Sequence, residues 1–119
     1  MILNIKRIYD EPSGSDGVRV LVDRLWPRGI KKKDSEIHHW FKELAPSGEL
    51  RRWFDHDPDK WNEFKRRYFI ELEANKKSLS ELMKLADNNR ITLLYGSRET
   101  SFNNAVALRE YVLKYNEKI

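Results

Sequence analysis

The chain has 119 residues, of which 35% are charged and 12% aromatic. That is enough for one core over residues 1–119 and too little for two, and the aromatic content excludes a disordered tail. Lys and Arg outnumber Asp and Glu by 23 to 19 and there is no cysteine, so disulfides, thiolate metal sites and a Cys nucleophile are all excluded.

Residues 2–9 read as a strand, closed by the turn-rich EPSGSDG. The opening MILNIKRIYD is charged within its first seven residues, which predicts no signal peptide. No window reaches the roughly 18 apolar residues of a membrane span, so the expected setting is cytoplasmic, without a membrane partner. Residues 18–22, VRVLV, are β-branched and mostly apolar, as in a strand covered on both faces. Residues 23–33 are loop, broken at Pro27 and Gly29, and the spacing then predicts a short helix through HHWFKEL, capped by Asp34 or Ser35. Ser47 is the expected N-cap of a helix over SGELRRWF. Asp57 followed by Pro58 starts the next, with Trp61, Phe64, Tyr68 and Leu72 on one stripe. Ser78-x-x-Glu81 reads as a capping box opening a further helix. ITLLY, residues 91–95, is a second buried-type strand, and after GSRETS a last helix carries Ala105, Leu108, Val112 and Tyr115 on one face. Two apolar strands separated by helices predict an α/β fold, a single domain with a small, largely parallel sheet covered by helices.

The stretch VDRLWPRGIKKK places five basic residues and a tryptophan directly after an apolar strand. If VRVLV and ITLLY are parallel neighbours, the residues leaving their carboxyl ends meet. Asp23, Arg24, Trp26 and Arg28 come from one; Gly96, Ser97 and Arg98 come from the other. Ligands of open α/β sheets bind at such strand ends, where helix N-termini also gather. The last helix begins near Asn103 and would turn its free N–H groups to the same cleft. Arginine forks, a hydroxyl and a helix start form a host for phosphate, sulfate or carboxylate. Each element has a plainer reading: Arg24 paired with a core carboxylate, Trp26 as an apolar lid, Lys31 to Lys33 as a solvated run, Ser97 as a turn residue.

Charge distribution agrees with an anionic partner. Residues 1–33 hold eight Lys/Arg against four Asp/Glu, residues 34–87 ten against twelve, and residues 88–119 five against three. The excess therefore lies in the segments that hold the expected strands.

A second constellation lies in LAPSGELRRWFDHDPDKW, where His56 sits between Asp55 and Asp57 and downstream of Ser47 and Arg51. A His flanked by carboxylates suits a general base or a metal ligand. The favoured reading is a helix junction in which Asp57 caps and His56 bonds a backbone carbonyl. His38 and His39 have no ligand spacing to His56, so no metal site is expected. No nucleophile elbow, phosphate-binding loop, dinucleotide fingerprint or zinc-protease motif is present, and no cofactor is implied.

The motifs VDRLWPRG, LAPS-x-ELRRWF-x-HDP, W-x-x-F-x-x-RY-x-x-EL and TLLY with a later N-x-A-x-x-L resemble, in that order, the YeaO-like family of small bacterial and archaeal proteins, domain of unknown function 488. The resemblance brings no activity with it. It marks Asp23, Arg24, Arg28, Ser47, Arg51, His56, Asp57, Arg67 and Asn103 as recurrent polar positions. It also implies His where this chain has Phe102 and Asn104, and Gly where it has Asp55. That difference argues against 102 and 104 as essential acids or bases.

Three functions are weighed. The first is a small-anion site, phosphate-type or nucleotide, with hydrolytic or transferase chemistry left open. Arg24, Trp26, Arg28, Arg51, Ser97, Arg98 and Asn103 would bind, and His56 and Ser47 are the candidate catalytic pair. The second is a nucleic-acid-binding module, suggested by the basic balance and four Trp. The third is a non-catalytic interaction protein using the last helix. The sequence leaves ligand identity, catalysis and oligomeric state undecided.

Overall fold

A computed structural model describes residues 1–119, Lys118 by its backbone alone. Two apolar runs set the sheet. β2 (Val18–Leu21) and β4 (Ile91–Tyr95) lie side by side and parallel, with Val18 opposite Ile91 and Leu21 opposite Leu94. Every residue of β4 is buried, which explains the absence of polar alternation in ITLLY. β1 (Leu3–Arg7) pairs in parallel with the other side of β4, from Leu3 against Ile91 to Arg7 against Tyr95. β3 (His39–Trp40) pairs in parallel with β2, so the order is β1-β4-β2-β3. The expected α/β fold with a parallel sheet is the one observed.

Gly17 makes the β2–β4 pairing possible. Its φ is 67°, and a Cβ there would collide with the Arg90 carbonyl. That same carbonyl accepts from Val18 N–H at 2.8 Å and starts the ladder.

The helices are α1 (Gly48–Phe54), α2 (Trp61–Glu73), α3 (Lys76–Asn88) and α4 (Asn104–Tyr115). Their buried residues join one core with alternate sheet residues, Leu3, Val20, Val22, Ile91, Leu93 and Tyr95. The opposite sheet face carries Leu21 and Leu94, which pack with Ile8 and with Trp26, Ile30 and Ile37 of the loop that follows β2. Helices therefore cover one face and the WPRG loop covers the other. The α2 stripe is as expected: Phe64, Tyr68 and Leu72 are buried, and the Tyr68 hydroxyl donates to the Leu44 carbonyl. α4 buries a broader face than its spacing suggested, adding Ala107 and Tyr111 to Ala105, Leu108 and Val112.

Two local expectations are corrected. HHWFKEL is no helix: His38 N–H donates to Arg19 O and Phe41 N–H to Leu21 O, so the chain runs as β3 and then a 3₁₀ turn at Lys42–Leu44. Ladder bonds to β2 win over helix propensity there. Ser78 does not cap α3, which begins two residues earlier at Lys76, after Asn75. Leu79 N–H already donates to Asn75 O, so the Ser78–Glu81 pair lies within the helix.

Candidate functional site

The carboxyl ends of β2 and β4 converge, held by one side chain. Asp23, the second residue beyond β2, accepts from Gly96 N–H through Oδ2 at 2.8 Å and from Asn104 Nδ2 through Oδ1 at 3.0 Å. Asn104 Nδ2 also donates to Val22 O at 3.0 Å, and Trp40 Nε1 donates to the Asp23 carbonyl at 2.8 Å. One carboxylate thus ties the end of β2 to the end of β4 and to the first turn of α4. Gly96 permits the approach, since a Cβ there would stand 3.2 Å from Asp23 Oδ2. Burial pushes the Asp23 carboxyl above its ordinary value, opposed by its bonds to Asn104 and Gly96 and by the Arg51 charge.

Around this clamp opens a cleft of about 460 Å³. Arg24, Arg51 and Arg52 line it, with Ser97, Asn103, Asn104 and Tyr9 as polar neighbours. Trp26, Phe54, Phe64 and Phe102 supply aromatic wall, and His56 stands among the lining residues. The Arg24 guanidinium donates through Nε and Nη2 to one acceptor, the Pro46 carbonyl, at 3.3 and 3.2 Å. It is not paired with a core carboxylate. Arg51 and Arg52 sit exposed on α1, and among the described residues their guanidiniums have no hydrogen-bond or salt-bridge partner. Arg51 lies near enough for Asp23 to feel its charge.

α1 is fixed at both ends. Ser47 Oγ accepts from Leu50 N–H at 3.1 Å as N-cap and donates to Glu71 Oε2 at 2.7 Å, while Ser47 N–H donates to Glu71 Oε1 at 2.8 Å. The helix ends at Asp55 in the left-handed region, φ 46°, and His56 follows at φ 56°. Aspartate tolerates that conformation, and it stands where the family resemblance implies Gly. Two consecutive residues with positive φ cost about 1–3 kcal/mol each. They bend the chain out of α1 toward Asp57, whose Oδ1 accepts from Asp59 N–H at 3.0 Å as the expected cap.

Several sequence-predicted residues are brought together: Arg24, Trp26, Arg51, His56, Ser97 and Asn103 all line the cleft. Three of them are also committed elsewhere. Trp26 Nε1 donates to Ile30 O at 2.6 Å, and its ring meets Trp40 edge-on at 5.5 Å. Ser97 Oγ accepts from Glu99 N–H at 3.0 Å. Asn103 caps α4, accepting from Val106 N–H at 3.0 Å and donating to Glu99 O at 2.9 Å. Arg28, Arg98 and Ser47 are not among the lining residues. Arg28 lies past the buried Pro27 in an exposed turn, its carbonyl accepting from Tyr9 Oη at 2.9 Å. Arg98 is exposed two residues beyond Gly96. His56 is exposed, and no hydrogen bond joins it to either flanking carboxylate or to a backbone carbonyl among the described residues.

Sequence reasoning missed Arg52 and the holding role of Asp23. The signal for Arg52 was its place beside Arg51 in the same short helix. Among the described residues no group of three His, Asp or Glu is placed to hold a metal ion, and no helix is long and apolar enough to cross a membrane.

Residues 2–118 match a family described as "Inactive DUF488-N3 subclade". The uncharacterized protein YeaO of Escherichia coli (strain K12) is 40% identical over 112 residues, 94% of this chain and 97% of YeaO. The uncharacterized protein Rv3073c of Mycobacterium tuberculosis (strain H37Rv) is 39% identical over 108 residues, 91% of each chain. No solved structure matches.

Proposed function

The chain belongs to the inactive DUF488-N3 subclade, and from that premise we propose that its cleft binds a small anionic ligand, phosphate-type or nucleotide, without turning it over. The observation that carries this reading is the pair Arg51 and Arg52, two guanidiniums lining a 460 Å³ cleft with no protein hydrogen-bond or salt-bridge partner among the described residues. Arginine forks match phosphate and carboxylate oxygens in pairs, and each such bond is charge-assisted. Arg24 is already oriented by Pro46 O, so it adds charge at little further ordering cost.

Binding without chemistry has its own support. A nucleophilic serine needs a base within hydrogen-bond reach. Ser47 Oγ is occupied as the cap of α1, between Leu50 N–H and Glu71, and neither Ser47 nor Glu71 lines the cleft. His56 has no orienting partner among the described residues, and a general base without one is held in neither tautomer nor direction. Nucleic acid is disfavoured as the partner because the tryptophans are engaged. Trp61 stacks on Phe64 at 5.6 Å and 15°, and Trp53 lies under Arg67 at 4.1 Å and Lys60 at 5.1 Å.

Thermal unfolding titrated with inorganic phosphate, nucleotides and sugar phosphates tests the proposal. The expected result is a rise in Tm that grows with the logarithm of ligand concentration for at least one of these, about 2.7 kcal/mol of stabilisation at a hundredfold excess over Kd. The rise should be lost in Arg51→Ala/Arg52→Ala. An equal rise in the double variant, or none in the wild type, overturns it.

A further inference from the structure

We propose that a second hollow, beside the start of β2 and remote in sequence from the α1 arginines, binds a small oxyanion, either phosphate or carboxylate. It has a volume of about 250 Å³ and is lined by Pro12, Ser13, Gly14, Gly17, Arg19, Glu36 and His38. Arg19 is the chemical centre. Its side chain is 3% exposed, yet it is fixed in detail: Nη1 donates to Asp16 Oδ2 at 2.6 Å and Nε to Glu36 O at 3.0 Å. Among the described residues Nη2 has no acceptor. A buried guanidinium nitrogen left without one is destabilising, and such a group calls for an explanation, commonly an ion or an ordered water.

The charge balance separates those two. Lys6 Nζ reaches both Asp16 oxygens, at 3.2 and 3.3 Å, so two cations share one buried carboxylate. That carboxylate is already satisfied, for Ser13 N–H donates to Oδ2 at 3.0 Å as well. One positive charge is in excess around Asp16, where Arg19 is 3% and Lys6 22% exposed, and an anion in the hollow neutralises it where water does not. His38 adds a donor. Its Nδ1 accepts from Arg19 N–H at 2.9 Å, so a neutral ring carries its proton on Nε2. Glu36 turns its carbonyl, not its carboxylate, to Arg19. It does so at φ 50° in an exposed position, and among the lining residues Glu36 brings the carboxylate that opposes an anion. Phosphate and carboxylate are acceptors of the size such a hollow admits.

The test uses the full chain carrying Arg51→Ala/Arg52→Ala, so that the cleft does not compete. Arginine Nε–Hε and histidine ring resonances are followed by NMR while inorganic phosphate, and separately acetate, is added. The Arg19 and His38 signals should move saturably with at least one of the two, and which one identifies the oxyanion class. His38→Ala should weaken that affinity by about fivefold, the worth of one hydrogen bond. The exposed Glu36→Gln, which cannot disturb the core, should strengthen it by about twofold through loss of like charge. Signals that stay still with both anions, or drift linearly without saturating, overturn the proposal. So does an unchanged affinity in both variants.

Discussion

The molecule holds two groups of basic side chains, and they are built on opposite principles. At the carboxyl ends of β2 and β4, Arg51 and Arg52 are exposed and without a hydrogen-bond or salt-bridge partner among the described residues, and Arg24 rests on one backbone carbonyl. On the other sheet face, Lys6 and Arg19 close around Asp16, and Arg19 is 3% exposed. The first group pays no desolvation cost and is free to meet a ligand. In the second, Arg19 has lost its water and is held by the Asp16 carboxylate, the Glu36 carbonyl and, at its backbone N–H, His38. The comparison shows that a basic residue next to an apolar strand can be structural or receptive, and that its pairing decides which.

The largest expected effect breaks the buried group. Asp16→Ala leaves Lys6 and Arg19 without their shared partner and should cost about 3–5 kcal/mol, read as a lower urea midpoint. The Asp23 clamp comes next. In Asp23→Asn the amide cannot accept from both Gly96 N–H and Asn104 Nδ2. A loss of about 1–3 kcal/mol should follow, together with loss of phosphate-induced stabilisation.

Acid separates the two carboxylates in sign. Burial pushes Asp16 up, but its bonds to Ser13, Arg19 and Lys6 outweigh that and hold it below the ordinary 3.8. Its contribution is therefore fully present above 3.8 and lost as pH falls through the lower folded value. Asp23 is raised by burial, so protonating it favours the fold as pH falls from its folded value toward 3.8. Urea unfolding across this range should give a flatter acid limb for Asp16→Ala than for the wild type. Asp23→Asn should lack the gain on mild acidification.

Smallest in stability is Arg51→Ala/Arg52→Ala, expected within about 0.5 kcal/mol of the wild type in urea while abolishing anion-dependent stabilisation. A large stability loss would place those arginines with the buried group.

What the sequence made legible follows burial. VRVLV and ITLLY were readable because both sheet faces are covered, so their runs are β-branched and apolar apart from Arg19 and Thr92. Their adjacency then placed Arg24, Trp26 and Ser97 in one cleft. β3 was illegible: two exposed residues carry no periodicity, and only their pairing with β2 makes them a strand. Arg28 and Arg98 stood in the right loops but left the cleft because their positions depend on local turns, Gly29 at φ 79° in one case. The role of Asp23 needs Gly96 and Asn104, more than 70 residues away, and no local pattern carries such a link. In the sequence Arg19 is simply part of a strand. Its partners come from residues 16, 36 and 38, which only the folded chain assembles.

The most direct measurement is a crystal soaked in selenate, with the selenium located by its anomalous signal. The account predicts a peak in the cleft within hydrogen-bond distance of the Arg51 and Arg52 guanidiniums, absent from Arg51→Ala/Arg52→Ala crystals. A wild-type cleft with no peak at saturating selenate, or a peak that survives the double substitution, would contradict it.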